Sequence, residues 1–297
     1  MSRINSRITY SFIIPHKNSP DLLRRLINSI PEREDIQIIV VDDNSDKEKK
    51  PSLPKRNGLQ VIYLNSKQSK GAGRARNVAL GKAKGKWLLF ADADDYYCKG
   101  FLDLLDTYRE SMCDVIYFNF EYKDGKTEEK LPQLQLQSNI INYDESKLAT
   151  NRIKFCNKVP WSKMVSHDYI IKNHITFEEV PNGNDILFSI CVGLHTNNIS
   201  VDKRPLYVYL KNENSIQNSK PTIKGALCEI EHSIKLNNLY EYMGYPQWKG
   251  PCIKMIISYL LTLGGPFLFS VLRRLKKWYS LRNEWVDLFV NSVTQKG

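Results

Sequence analysis

Acidic residues are the minority charge in this chain: 32 Asp and Glu stand against 43 Lys and Arg, a net charge of +11. That imbalance points to an anionic partner, whether nucleotide, phosphorylated lipid, membrane surface or nucleic acid. Cysteine is scarce as well. The six cysteines, at 98, 113, 156, 191, 228 and 252, form no CxxC pair and no Cys/His set of zinc-finger spacing. Their scatter fits buried free thiols in a reducing compartment better than a disulfide frame or a zinc site. "MSRINSRITY" is too polar for a signal peptide, so the expectation is a cytoplasmic catalytic part. No internal repeat is visible, and 42% hydrophobic with 25% charged residues excludes a disordered chain. At 297 residues the chain can bury a sizeable core.

What is present is an alternation. "ITYSFIIP" (8–15), "IQIIVVDD" (36–43), "LQVIYLN" (59–65) and "KWLLFAD" (86–92) read as strands. Between them, "SPDLLRRLINSI" puts Leu22, Leu23, Leu26, Ile27 and Ile30 on one helical stripe, with Ser19 as N-cap and Pro20 at the first helical position. "GAGRARNVALGKAKG" opens on glycines and continues as an Ala-rich helix, and "FLDLLDTYRE" reads as another helix. This order predicts an α/β protein with a mainly parallel sheet and helices on both faces. Ligands of such sheets bind beyond the strand carboxyl ends. Pro15, Asp42–Asp43 and Asp92 all stand at such ends, so one sheet edge is the predicted site.

Past residue 113 the pattern loosens. "DVIYFNFEYKDGKTEEK" reads as a strand running into a hairpin that turns at Asp124–Gly125. "LPQLQLQSN" is polar enough to read as a surface excursion. "NKVPWSKMVSHDYIIKNHITF" and "NGNDILFSICVGLH" read as loop, helix, strand, loop and helix. From 255 to 272, "MIISYLLTLGGPFLFSVL" carries no charge over eighteen residues, the minimum for a membrane span. Gly264–Gly265–Pro266 interrupts it and should break a helix. Three readings stand: short apolar helices packed on the rest of the protein, a monotopic membrane contact, and a span. The following Arg273, Arg274, Lys276 and Lys277 suit an anionic leaflet, each contributing about 1 kcal/mol when close to it.

Three motifs carry chemistry. "ADADD" sets Asp92, Asp94 and Asp95 at the end of an apolar strand. Carboxylates on a rigid strand end suit Mg²⁺ or Mn²⁺, which take one or two of them and complete their shells with water and substrate phosphates; a helix cap is the plain alternative. "VVDDNSD" (40–46) offers a carboxylate to a base imide or a ribose hydroxyl, or forms an Asx-turn. "SKGAGRARN" (69–77) places glycines before a helix N-terminus, where a phosphate can be cradled. It closes with no Gly-Lys-Ser/Thr and follows the third strand, so it is neither a Walker loop nor a dinucleotide fingerprint.

Taken in order, "SFIIPHKN", "IIVVDDNSD", "GAGRARNVALGKAKGKWLLFADADD", "VPWSKM", "NGNDILFS" and "YVYLKNENSIQNS" resemble the successive blocks of family 2 inverting glycosyltransferases with the GT-A fold. The resemblance covers about residues 8 to 217. It implies a catalytic domain at 1–217, with a nucleotide-binding half at 8–112 and an acceptor half at 113–217, followed by a helical C-terminal extension at 218–297. It implies a nucleotide-sugar donor, usually UDP-linked, a saccharide or lipid-linked acceptor of the cell-surface polysaccharide type, and Mn²⁺ or Mg²⁺ as cofactor. Carried over by position, the backbone near Pro15 and the side chain of Asp43 hold uracil and ribose, and Arg76 sits by the base or diphosphate. Asp92 contacts the ribose or sugar, Asp94 binds the metal, Asp185 matches the catalytic base, and Trp161 walls the acceptor site. The chain departs from the family twice. Lys17 stands where an aromatic is common, and Asn184 where Glu usually precedes the base, a change that bears on acceptor binding. A nucleotidyltransferase, a decayed sugar-nucleotide-binding module and a basic nucleic-acid binder are the alternatives. The dispersed lysines and the lack of a recognition motif argue against the last. Peripheral placement on the inner membrane face is a further expectation from the basic, apolar tail.

Overall fold

The computed structural model describes residues 8–180, 182–212 and 221–278. The polar start at 1–7, Pro181 and the segment 213–220, which holds the 217/218 boundary and the end of the "YVYLKNENSIQNS" block, lie outside the described residues. The chain divides into two compact units, one of Met1–Glu179 with Asn184–Ser215, the other of Val180–Gly183 with Ile216–Gly297.

The first unit is built on one eight-stranded sheet, ordered β3-β2-β1-β4-β7-β6-β8-β5. The strands are β1 Tyr10–His16, β2 Ile36–Asp42, β3 Leu59–Tyr63, β4 Trp87–Phe90, β5 Tyr96–Tyr97, β6 Val115–Asp124, β7 Lys163–Ser166 and β8 Ile199–Lys211. The four strands from β3 to β4 are parallel, as the alternating pattern predicts. Beyond them the sheet is mixed: β7 runs antiparallel to β4 and β6, β8 parallel to β6, and β5 antiparallel to β8. Every residue of β1, β2 and β4 is buried, which is why these strands read as continuous apolar runs.

Alternate residues feed two cores. Phe12, Ile14, Ile38, Val40, Trp87 and Leu89 face α1 (Pro20–Ser29) and α3 (Phe101–Asp106). Ile13, Ile39, Val41, Leu88 and Phe90 face α2 (Ala72–Leu80), α5 (Lys147–Cys156), α6 (His167–Lys172) and α7 (Asn184–Leu194). Helices therefore cover both faces. Pro20 holds the first turn of α1 as expected, but Ser19 makes no side-chain cap. Its backbone N–H donates to His16 Nε2 at 3.2 Å instead.

Three local expectations change. The Gln-rich stretch is not an excursion: it forms α4 (Gln135–Ile141), which packs on β6 with Gln137 and Ile140 buried. Gln137 donates to the Phe120 carbonyl at 2.8 Å and accepts from the Leu134 N–H, so a polar side chain sits satisfied in the interior and disguises the helix. Between residues 157 and 194 the strand precedes the helix, because "KMVS" is β7 and "HITF" is a loop whose Ile175 and Phe177 are buried without pairing. The turn at Asp124–Gly125 closes only a single bridge, Lys123 to Lys130.

The second unit holds α8 (Ile223–Tyr242), α9 (Cys252–Leu263) and a helix through 265–278, here α10. Gly264, at φ 68°, separates α9 from α10, as the Gly-Gly-Pro sequence predicts. Ala226, Leu227, Ile230, Phe267, Val271 and Trp278 form this unit's own core.

Candidate active site

The carboxyl ends of β1, β2 and β4 meet at one edge of the sheet. Ile13 accepts the Ala91 N–H through its carbonyl, so odd-numbered residues of β1 aim their peptide groups toward β4. Pro15 aims the same way, two residues past the last β1–β4 pair, where its missing N–H costs no ladder bond.

At the ends of β1 and β2 lies a buried network that the sequence reading missed. His16 Nδ1 is 2.7 Å from Asp42 Oδ1, and Ser45 Oγ donates to the same oxygen at 2.5 Å. Because His16 Nε2 accepts from Ser19, the imidazole carries its proton on Nδ1 and donates to Asp42. Both nitrogens are thus engaged and Ser45 donates to the carboxylate, so this is a strut between two loops and not a nucleophile with its base. Asn18 extends the strut, its N–H donating to Ser45 and its side chain exchanging hydrogen bonds with Asp46.

Asp43 serves the next loop. Its two oxygens accept the N–H groups of Lys70 and Gly71, at 3.2 and 3.0 Å, directly before α2. Gly71 sits at φ 90°, a conformation open to glycine. The glycine cradle expected to hold a phosphate is therefore occupied by the protein's own carboxylate. Lys17, 54% exposed, lies 3.8 Å from Asp43.

From α2 the Arg76 side chain reaches the centre of the site. Only 4% exposed, it donates through Nη2 to Asp92 at 2.5 Å and through Nη1 to Asn184 Oδ1 at 2.7 Å, and lies over the Phe177 ring. Two contacts make this reach feasible. Asn77 exchanges hydrogen bonds with the Phe177 backbone in both directions, at 2.9 Å each. Gly73 lets the Glu178 carbonyl approach so closely that a Cβ there would sit 2.0 Å from its oxygen. The aspartate turn and the start of α7 are thus joined by one guanidinium, and Asp185 follows Asn184 in the first turn of α7.

The three clustered aspartates have separate surroundings. Asp95 is 1% exposed and accepts from Tyr207 Oη at 3.0 Å and from the Leu210 N–H at 2.9 Å, tying the turn to β8. Burial, then the neighbouring Asp94 and Asp92 charges, push its pKa well above the carboxylate range. Asp94 accepts from Asn212 Nδ2 at 3.0 Å, and its carbonyl accepts from Arg25. Burial and then Asp92 raise its pKa as well. Asp95 is the structural member, whereas Asp92 and Asp94 are half-buried.

Asp185 is raised by burial first; Arg76 lowers it, Asp92 raises it, and Lys163 lowers it. Lys163 is itself fully buried on β7, its Nζ donating to the Asn157 carbonyl at 3.1 Å, and burial pulls its pKa down to about 7. Trp161 is 4% exposed. It stacks between Tyr207 and Tyr209, with centroids at 5.1 and 5.2 Å, and meets Phe120 edge-on. It backs the site from an aromatic layer, with its surface almost wholly covered.

No group of three His, Cys, Asp or Glu that could hold a metal ion occurs among the described residues. A Mg²⁺ or Mn²⁺ bound chiefly by substrate phosphates needs no such group. Two half-buried carboxylates at 92 and 94, the second with its proton affinity raised by burial and then by the charge of Asp92, fit an ion of that kind.

Comparison with known proteins identifies the family and the fold. The model of glycosyl transferase family 2 matches residues 11–171, from β1 into α6, which is more than half of the chain. The poly(ribitol-phosphate) beta-N-acetylglucosaminyltransferase TarS of Staphylococcus aureus strain MW2 is 31% identical over 209 residues, 67% of this chain and 35% of TarS. The poly(ribitol-phosphate) beta-glucosyltransferase of Bacillus spizizenii is 27% identical over 78% of this chain and 37% of its own length. The chain thus spans little more than a third of these curated relatives. Among solved structures, S. aureus TarS 1-349 in complex with UDP-GlcNAc superposes with a TM-score of 0.59 at 26% identity, over 78% of this chain and 65% of that one. With its α/β sheet, its helical C-terminal region and the aspartate turn at the strand ends, the chain belongs to glycosyl transferase family 2 and has the GT-A fold.

Proposed function

We propose that this protein is a metal-dependent inverting glycosyltransferase that moves a sugar from a UDP-sugar to a hydroxyl of a saccharide or lipid-linked acceptor in cell-surface polymer synthesis. The observation that carries the reading is the Arg76 bridge, which draws Asp92 and the start of α7 into one site and so brings Asp185 into the field of the aspartate turn. UDP and UDP-GlcNAc complexes of TarS support the choice of donor, and the names of the two curated relatives support a polyol-phosphate polymer as acceptor.

The chemistry assigns each residue a task. The acceptor oxygen attacks the anomeric carbon, the bond from that carbon to the diphosphate breaks, and the transition state is oxocarbenium-like. Asp185 takes the hydroxyl proton; burial keeps its pKa high enough to accept it. One base with no enzyme nucleophile gives inversion. Asp43 and the backbone at Pro15 receive the uracil and ribose, and Asp92, held by Arg76, receives the sugar side of the donor. Asp94, with Asp92, would hold Mg²⁺ or Mn²⁺, which supplies positive charge to the departing diphosphate. Trp161 supports the acceptor side from behind Tyr209. Asn184 accepts from Arg76 in place of the family's Glu, so it steadies the arginine without adding charge.

The test is calorimetric binding of UDP with and without Mn²⁺, on wild type and Asp94→Asn, followed by UDP-sugar turnover. Metal-dependent binding that the variant loses, together with sugar release or transfer, supports the reading. Binding without turnover favours the decayed module, and no binding with metal present removes UDP as the donor nucleotide.

A further inference from the structure

The second unit has an apolar surface that its own packing does not use. Its core takes Ala226, Leu227 and Ile230 of α8 and Phe267 and Val271 of α10, with Met255, Ile256 and Tyr259 of α9 packed against them. On α9 a separate stripe of Ile253, Ile257 and Leu261 recurs every four residues and faces solvent, Ile253 74% and Leu261 84% exposed. On α10 Leu268, Leu272 and Leu275 repeat at three- and four-residue spacing, also exposed. Two successive helices with a second apolar stripe each differ from scattered surface leucines.

Charge over the same stretch has one sign. From Met243 to Trp278 there is no Asp or Glu, while Lys249, Lys254, Arg273, Arg274, Lys276 and Lys277 supply six cations. Arg274 and Lys277 pair with Glu231 of α8, and Lys249 with Glu241. Lys254, Arg273 and Lys276 have no carboxylate partner among the described residues, and Arg273 lies over the Phe269 ring. No helix among the described residues is long and apolar enough to cross a membrane, and α9 is 12 residues long before Gly264 ends it.

We propose that α9 and α10 rest on an anionic lipid surface, their exposed stripes in the headgroup–acyl boundary and Lys254, Arg273 and Lys276 among the phosphates. An apolar face flanked by cations with no carboxylate partner among the described residues, on helices whose described parts are not long and apolar enough to span, is the chemistry of an interfacial anchor. A second copy of this chain fits the face poorly, since like surfaces would set cations against cations. The inference stands apart from the proposed transfer reaction, because it uses none of its residues.

The experiment is flotation of the full chain with vesicles of mixed phosphatidylglycerol and phosphatidylcholine, and with phosphatidylcholine alone. The expected result is binding to the anionic vesicles, weaker by roughly tenfold or more on the neutral ones and at high salt. The variant Ile257→Ser/Leu261→Ser/Leu272→Ser stays unbound in the dense fraction. Arg273→Gln/Lys276→Gln binds roughly thirtyfold more weakly. Both variants replace exposed side chains, and their thermal melts match wild type. The proposal is overturned if the wild type ignores anionic vesicles, if the serine variant binds like wild type, or if the stripe instead mediates a dimer that sedimentation detects and the serine variant abolishes.

Discussion

A single guanidinium holds this site together. Replacing Arg76 by Met leaves Asp92 and Asn184 without their shared donor, and donor affinity should fall at least tenfold in calorimetry while the fold persists; loss of a charged hydrogen bond of this kind is worth about 1.5–3 kcal/mol. Asp185→Asn tests the base: kcat should drop by about 10²–10⁴-fold with UDP binding retained. The pH profile carries a further check. Asp185 must be ionised to take a proton, and its folded-state pKa lies above the ordinary carboxylate value, so activity should rise with pH along a limb shifted upward. Lys163 opposes that shift. Lys163→Met removes a buried cation, so the limb should move to still higher pH, and the wild-type advantage should fade as Lys163 itself deprotonates near about 7. An unmoved limb in the kcat profile would show that Asp185 is not the titrating base.

At the scale of elements, the close approach of α2 to Glu178 and Asn184 is the joint that sets Arg76. Gly73→Val puts a side chain into the Glu178 carbonyl, and overpacking of this kind typically costs 1–3 kcal/mol, about what moves a melting midpoint by several degrees. Activity should fall further than stability, because displacing α2 breaks the bridge. Much of this layer was legible beforehand. Strands whose residues are all buried announce themselves as apolar runs, and Asp43, Asp92 and Asp94 stand out as carboxylates at strand ends. What was hidden depended on partners distant in sequence. Gln137 reads as surface until Phe120 is placed opposite it, and His16 reads as an ordinary loop residue until β2 delivers Asp42. Asp95 stands beside Asp92 and Asp94 in the sequence with no role of its own until β8 brings Tyr207 and Leu210 to it. Asn184 was legible as a departure, but its hydrogen bond to Arg76 needed α2 and α7 side by side.

For the whole molecule, chemistry follows from composition. All six cysteines are free, and burial pushes the thiols of Cys98 and Cys191 up to about 12. Those two should resist a thiol reagent at neutral pH in the native state and react once denatured, and reductant should leave the melting temperature unchanged. On the proposed metal dependence, chelation should abolish UDP binding without lowering the melting temperature of the unliganded protein, since the aspartate turn is secured by Tyr207, Asn212 and Arg76.

The carboxylate that Asp43 presents to the start of α2 has one more consequence. A helix terminus is a source of positive potential that costs a protein no lysine, and here an internal anion has neutralised it before any ligand arrives. Inhibitor chemistry should reflect this. Uridine conjugates that keep the base but carry a diphosphate mimic unable to chelate a divalent ion should bind little better than uridine alone, whereas chelating mimics should recover the affinity of UDP.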